Sequence, residues 1–318
     1  MSLKAFNRVL VTGGAGFIGS HLVNVLVKTG YEVVVFDNFS TGRMENVEGF
    51  LNEANFSIVN GDVRDRGVVN EALKEVEAVF HLAAITSVPY SIKYPRVTRE
   101  VNVGGTRNLL EACVDNDVER FIFVSTCAVY GEAEYLPIDE KHPTRPVSPY
   151  AESKLEAENL CLAFQKKYGL NAVVFRLFNV YGSRMREDQY GTVIIRFIKR
   201  LMDGKSPIIY GDGEQTRDFV HAADTVNAMM LALNNKAAAG ETFNIGFGTP
   251  VTVNRLARLL IKLFKAEDVK PVYSDKRSGD IRNSYADIHK ARDVLGFKPS
   301  LNLEEGLSML LREFKKVE

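Results

Sequence analysis

Val9-Leu-Val-Thr-Gly13-Gly-Ala-Gly16-Phe-Ile-Gly19 is the stretch on which the reading of the fold turns. Three apolar residues lead into a glycine cluster, and a helical pattern follows from Gly19 to Gly30. Glycines at these intervals let the backbone turn tightly and approach a pyrophosphate, while a helix opening near Gly16 aims free N–H groups at the anion. A simple turn cluster would carry the same three glycines. The strand before it and the helix after it favour a dinucleotide seat.

Outward from that loop the pattern repeats. Val33–Phe36, Ser57–Val59, Ala78–Leu82, Phe121–Val124 and Ala172–Phe175 are short runs rich in Val, Ile and Phe, as buried strands are. Helix-length periodicity covers Gly19–Gly30, Gly67–Glu75, Val97–Asn116 and Ser148–Tyr168. The alternation predicts an α/β fold, a doubly wound parallel sheet of Rossmann type over residues 1–178. After Asn179, loops rich in Gly, Pro and charge (Tyr181–Gly191, Gly204–Arg217, Phe247–Thr252, Asp275–Tyr285) separate the helical stretches Val193–Asp203, Asp224–Asn234, Val253–Phe264 and Asp287–Leu295. This predicts a smaller C-terminal α/β substrate-binding domain over 179–318, closing on the carboxyl ends of the strands. The segment 218–245 is expected to return to the main sheet.

Composition narrows the function. The chain has 318 residues, 46% apolar and 25% charged, an ordinary globular balance. Its 40 basic and 40 acidic side chains cancel, which argues against nucleic acid or a polybasic membrane surface as the main partner. Cys113, Cys127 and Cys161 lie far apart without metal-ligand spacing, so free thiols in a reducing cytoplasm are expected, and no structural metal. No apolar run reaches the roughly 18 residues of a membrane span, and no signal peptide is visible. His21, His81, His142, His221 and His289 are scattered and receive no catalytic role.

Asp37 ends the second strand, about 20 residues past the glycines, where a carboxylate accepts from both adenosine ribose hydroxyls and repels a 2′-phosphate. That favours NAD over NADP. Asn38 and the Ser40-Thr41-Gly42-Arg43 turn would flank the same ribose, and Arg43 is the one residue that could instead meet a 2′-phosphate. Asp62-Val63 follows the third strand within reach of an adenine, although Asp62 also suits a plain turn.

The chemistry gathers at Ser125-Thr126 and Tyr150-Ala-Glu-Ser-Lys154. Tyr150 and Lys154 share one helix face, with Ser148 and Pro149 fitting an N-cap and first helical position. A phenol acting as a base near neutrality must shed about three pKa units, about 4 kcal/mol. One cation about 4 Å away supplies roughly that in a half-buried site. Lys154 and a positively charged nicotinamide together would suffice. Thr126, ending its strand, can share a hydrogen bond with the reacting hydroxyl. A solvated Tyr/Lys pair, a strand-ending Thr126 and a Ser125 bonded only to backbone are the structural alternatives.

These residues resemble the extended short-chain dehydrogenase/reductase superfamily, and within it the UDP-glucose (UDP-N-acetylglucosamine) 4-epimerase family. The resemblance runs along nearly the whole chain: Gly13-Gly-Ala-Gly-Phe-Ile-Gly-Ser-His21, Asp37-Asn-Phe-Ser-Thr-Gly42, His81-Leu-Ala-Ala84, Val101-Asn-Val-Gly-Gly-Thr106, Tyr150-x-x-x-Lys154, Arg176-Leu-Phe-Asn179, Gly213-Glu-Gln-Thr-Arg-Asp-Phe219 and Gly279-Asp-Ile-Arg282. It implies NAD as a tightly bound cofactor, with Phe17, Ile18, Leu82, Ala83, Ala84, Asn102 and Ser125 lining it beside the residues above. It implies Tyr150 as the base on the sugar 4-hydroxyl, Lys154 lowering its pKa and bonding the nicotinamide ribose, and Thr126 bridging to the hydroxyl. Asn179 is similar to an asparagine on the UDP moiety, Arg217 and Arg277 to arginines on the diphosphate, and Asp280 to a carboxylate on the uridine ribose; Ser87 and Val193 also fall at the substrate. For the charged three, surface salt bridges are the alternative.

The implied reaction is redox-neutral: hydride leaves C4 for NAD, the 4-keto sugar turns, and hydride returns to its other face. Sister 4,6-dehydratases carry an acidic pair after the Ser/Thr and UDP-glucuronate decarboxylases generally keep a glutamate nearby, whereas Thr126-Cys127-Ala128 has neither. UDP-glucuronate 4-epimerisation stays open, and a catalytically silent NAD-binding regulator is disfavoured by the presence of both Tyr150 and Lys154. Ser87-Val-Pro-Tyr-Ser91 resembles epimerases that accept N-acetylated sugars. Ser284 falls where galactose-only enzymes tend to carry a bulky tyrosine, leaving room for a 2-acetamido group. The resemblance also implies a homodimer that pairs the Val97–Asn116 and Ser148–Tyr168 helices in a four-helix bundle.

Overall fold

The computed structural model describes residues 6–185, 192–276 and 281–314. In chain order the first half runs β1 (Arg8–Thr12), α1 (Phe17–Lys28), β2 (Glu32–Asp37), β3 (Phe56–Asn60), α2 (Arg66–Ala72), β4 (Ala78–His81), α3 (Val88–Lys93), α4 (Pro95–Arg99), α5 (Gly105–Asp115), β5 (Arg120–Thr126), α6 (Pro149–Tyr168) and β6 (Asn171–Leu177). Then come β7 (Asn179–Tyr181), α7 (Val193–Met202), β8 (Ile208–Tyr210), β9 (Thr216–Arg217), β10 (Phe219–His221), α8 (Ala222–Leu233), β11 (Thr242–Ile245), β12 (Val251–Thr252), α9 (Val253–Leu263), β13 (Val272–Ser274), α10 (His289–Leu295) and α11 (Leu303–Phe314).

The main sheet has seven strands in the order β11-β6-β5-β4-β1-β2-β3, all parallel, as a doubly wound Rossmann-type sheet requires. Val9 of β1 stands between Val33 of β2 and Ala78 of β4. Successive strand side chains alternate faces, so Val9 and Val11 pack with Leu22, Val23 and Leu26 of α1, while Leu10 packs with Leu109 and Leu110 of α5. Both faces are covered, which is why these strands read as unbroken apolar runs rather than alternating ones. A third cluster, with Ile194 and Phe197 of α7, Leu256 and Leu260 of α9 and Leu307 and Leu310 of α11, builds the core of the later half. β11 lies beside β6 at the sheet edge.

The expected single helix Val97–Asn116 is instead three pieces. After α4, residues Glu100–Gly104 form a π turn, and α5 begins at Gly105. Gly105 packs so tightly on Val63 that a Cβ there would lie 2.4 Å from its side chain. A wide π turn adds a residue to the helix and commonly marks a functional position. α3 and α11 were also outside the expectation: α3 spans only six residues and has Pro89 in its first turn.

Candidate active site

Of the predicted cofactor residues, Gly13, Gly16, Asp37, Asn38, Leu82–Ala84 and Ser125 lie at strand ends or in the loops after them, Phe17–Gly19 open α1, Asn102 lies in the π turn, and Tyr150 and Lys154 lie on α6. At the end of β1, Gly13 has φ +68, and a Cβ on it would lie 2.8 Å from the Ala83 nitrogen, so only glycine fits where the first loop meets the loop after β4. Gly19 is equally confined, with a built Cβ 2.2 Å from the Gly13 carbonyl oxygen. Gly16 is the N-cap of α1, and Phe17 and Ile18 begin that helix. The Asp37 carboxylate is buried, accepting the Ala15 N–H at 3.0 Å through Oδ2 and the Phe39 N–H at 2.9 Å through Oδ1. Burial pushes its pKa up, and the Phe39 and Ala15 N–H groups oppose that. Each oxygen keeps a lone-pair direction for a ribose hydroxyl, and a carboxylate there would repel a 2′-phosphate. These features fit an NAD adenosine end.

Next to it, Asn38 donates to Asp62 at 3.0 Å and accepts the Ser40 N–H at 3.0 Å. Arg64 grips Asp62 with two bonds, at 2.9 and 2.8 Å, and holds its pKa near 2. Asp62 is thus both the tie of its own turn and an ionised carboxylate beside buried Val63. Ser40, Thr41 and Arg43 are exposed, with Gly42 half-buried over Asp37.

At the end of β5, Thr126 meets Tyr150. Ser148 caps α6 by accepting the Ala151 N–H at 3.2 Å, Pro149 takes the first helical position, and Tyr150 follows in the first turn. The Thr126 hydroxyl also accepts the Ala128 N–H at 3.1 Å. Burial pushes the Tyr150 phenol up to about 12, and its hydrogen bond with Thr126 draws it only partly back. Lys154 is buried one turn on, its Nζ 4.1 Å from the centroid of the Phe123 ring. Burial lowers that ammonium to about 8, while Cys161 and Glu158 pull it back up. The protein alone therefore leaves the phenol protonated at neutral pH; the expected activation by Lys154 is not what dominates its surroundings.

Ser125 is buried. Its hydroxyl donates to Glu158, which is also gripped by Arg176 at 2.7 Å through Nη2 and 3.1 Å through Nε. Arg176 in turn donates to the Tyr130 hydroxyl at 3.0 Å, and Tyr130 to Asn244 at 2.6 Å. This buried network behind the sheet end was not anticipated, although Glu158 lies one further turn along the face of Tyr150 and Lys154 and could have been noticed. Asn102 is buried too, with both amide hydrogens and its carbonyl oxygen spent on Ile85 and Ser153.

A cleft of about 370 Å³ opens beside this centre, lined among others by Asn179, Val193, Tyr210, Gln215 and Arg217. Three of the predicted substrate residues thus share one cavity. Arg217 donates to the Thr216 carbonyl at 2.8 Å and lies close enough to Cys127 to favour its thiolate. Ser284 is buried against the same place, hydrogen-bonded to the Cys127 side chain. Burial nevertheless pushes the Cys127 thiol up to about 11, so it is an uncharged neighbour of Tyr150 and no acid or base at neutral pH. Asp218 binds the Phe247, Gly248 and Ala286 N–H groups at 2.7, 2.9 and 3.0 Å and so helps fix the segment that carries Ser284. Ser87 caps α3 by accepting the Tyr90 N–H at 3.2 Å. Arg277 and Asp280 lie outside the described residues.

A dinucleotide loop, a ribose carboxylate and a Thr/Tyr/Lys set on one sheet end define an extended short-chain dehydrogenase/reductase. The family model described as GDP-mannose 4,6 dehydratase matches residues 10–310, and the chain belongs to that family, in the company of UDP-sugar 4-epimerases. A putative UDP-glucose 4-epimerase of Methanocaldococcus jannaschii is 40% identical over 96% of this chain and 98% of its own length. The UDP-N-acetylglucosamine 4-epimerase of Methanobrevibacter ruminantium, solved with UDP-N-acetylmuramic acid, superposes with a TM-score of 0.94 at 38% identity, covering 99% of this chain and 100% of that one. The UDP-glucose 4-epimerase of Thermus thermophilus, solved with NAD, gives 0.88 at 35% identity, with 98% and 100% covered.

Proposed function

We propose that this chain is an NAD-dependent UDP-hexose 4-epimerase that interconverts UDP-glucose with UDP-galactose and also admits UDP-GlcNAc and UDP-GalNAc. The observation that carries the reading is the pairing of Tyr150 with Thr126, in a pocket whose next two residues, Cys127 and Ala128, supply no acid or base. Elimination of water from the sugar needs an additional acid and base, which this wall does not offer. The glycine loop, Asp37 and Asn38 would hold the adenosine half of NAD, and the loop Leu82–Ala84 would run beside its pyrophosphate and nicotinamide ribose. When bound, NAD supplies the hydride acceptor at C4 and returns that hydride.

The side chains do the proton work. Tyr150 takes the proton of the sugar 4-hydroxyl as hydride leaves, and gives it back to the same oxygen after the ketone has turned. Thr126 keeps that oxygen within hydrogen-bond reach. Lys154, buried and cationic through most of the neutral range, opposes the phenol's burial penalty together with the charge of the oxidised nicotinamide. Arg217 in the adjoining cleft suits a diphosphate, and Asn179 and Val193 the uridine side. The small Ser284, tied back to Cys127, leaves space at the sugar's 2-position. We also propose that α4 to α6 pair with a second copy in a four-helix bundle.

Pure protein incubated without reductant with UDP-glucose, UDP-GlcNAc and UDP-glucuronate, then followed by proton NMR, tests the reading. Axial-4-hydroxyl epimers of the first two are expected. A 4-keto-6-deoxy sugar or a pentose product would overturn it in favour of a dehydratase or decarboxylase.

A further inference from the structure

A line of buried hydrogen bonds crosses from the strand beneath the glycine loop to the first turn of α6. The Thr12 hydroxyl lies 2.7 Å from His81 Nδ1 and accepts the Leu82 and Ala83 N–H groups at 3.2 and 3.1 Å. His81 Nε2 lies 2.9 Å from the Thr106 hydroxyl, which donates to the Asn102 carbonyl at 2.6 Å. The Asn102 side chain donates to Ser153 at 2.9 Å, and the Ser153 hydroxyl donates to the Tyr150 carbonyl at 2.7 Å. Thr12, His81, Asn102, Thr106 and Ser153 are all buried.

Counting protons leaves one arrangement. Thr106 spends its hydrogen on Asn102, so it can only accept from His81, and His81 must carry its proton on Nε2. Nδ1 is then bare and accepts from Thr12, whose two lone pairs are left for the Leu82 and Ala83 N–H groups. Every side-chain donor in the line is used once the tautomer is set. Burial, reinforced by the Lys154 charge, keeps the imidazole neutral. The same ring packs on Phe123, with centroids 5.6 Å apart, and Phe123 is the platform under the Lys154 ammonium. His81 therefore packs directly on the ring beneath Lys154 and is linked to the backbone at Tyr150 through Thr106, Asn102 and Ser153.

We infer that His81, through Thr106, is a positioning residue that couples the cofactor-facing backbone of Leu82 and Ala83 to Tyr150 and Lys154. The catalytic part of this inference rests on the epimerase reading above. The coupling to the cofactor seat stands apart from it. A buried, fully satisfied network of this kind holds one geometry, because breaking any link leaves a polar group without water.

The test compares Thr106→Val, which keeps the shape and removes the hydroxyl, with Thr106→Ser, which keeps the hydroxyl. For each full-length protein, NADH affinity is read by fluorescence, UDP-hexose kcat and KM by turnover, and folding by thermal melting. Thr106→Val is expected to weaken NADH binding by about tenfold and to lower kcat by about ten- to a hundredfold at unchanged KM. Thr106→Ser should recover both, and the melting temperatures of the two variants should not track these losses. Parent-like NADH affinity and kcat in Thr106→Val would overturn the inference, as would equal losses in both variants. If the parent turns over no UDP-hexose, the epimerase reading fails while the NADH comparison still decides the coupling.

Discussion

In the proposed reaction Tyr150 moves the proton, and its surroundings make a specific demand. Burial pushes the phenol up to about 12, so the proposed proton transfer calls for a further positive charge beside it. Tyrosinate absorbance followed through a pH titration should show Tyr150 ionising several units lower with NAD bound than without it. The sign follows from the charge: a cation beside the phenol favours the phenolate and lowers its pKa. An unchanged titration would remove Tyr150 from the role of base. Tyr150→Phe should lower turnover by about 100- to 10,000-fold while NAD stays bound, read by assay and by the absorbance of the purified protein. At Ser284, whose side chain is buried against Cys127, replacement by Tyr should suppress UDP-GlcNAc conversion selectively; equal loss on UDP-glucose would contradict the pocket assignment. Helix spacing put Tyr150 and Lys154 on one face, and the family resemblance singled out Ser284. Both were silent on the seating of Lys154 over Phe123 and on Ser125 turning to Glu158, because these depend on contacts between α6 and β5 that no local pattern encodes.

The elements show why some boundaries were legible. α6 announces its start through Ser148 and Pro149, and the cap bond and first-turn proline stand where the composition put them. The stretch from α4 to α5 was read as one helix because its apolar period continues through the π turn at Glu100–Gly104. The widening is set by tertiary demands on Asn102 and by Gly105 against Val63, which periodicity does not register. Packing also decides the glycine loop. Gly19→Ala must displace the Gly13 carbonyl, and equilibrium dialysis should show NAD affinity falling by about tenfold or more if the loop is the proposed pyrophosphate seat. Retained affinity would mean that the loop does not hold the cofactor. Behind the centre, the Glu158–Arg176 pair is almost wholly buried. Glu158→Ala leaves a buried guanidinium without its carboxylate and should cost about 3–5 kcal/mol in urea unfolding.

At the level of the whole molecule, the parallel sheet places the carboxyl ends of β1, β2, β4 and β5 in one row, so a cofactor laid along them reaches from Asp37 to Thr126. The later half then needs only to bring Arg217, Asn179 and Ser284 to the same end, which β9, β7 and the Asp218 bonds do. The first half was readable because each strand and helix announces itself locally. The second was less so: β8 and β13 are three-residue strands paired across the chain, and the contact of Ser284 with Cys127 joins distant segments. Among the described residues no helix is long and apolar enough to cross a membrane. Light scattering should give twice the chain mass of 35.5 kDa, as the proposed helix pairing requires. The central claim is that hydride leaves C4 and returns to it within one closed site. UDP-glucose carrying deuterium at C4, incubated with the enzyme in ordinary water and read by NMR, should yield UDP-galactose with the deuterium still on C4 and a slowed turnover. Loss of the label to solvent, or its appearance at another carbon, would contradict the account.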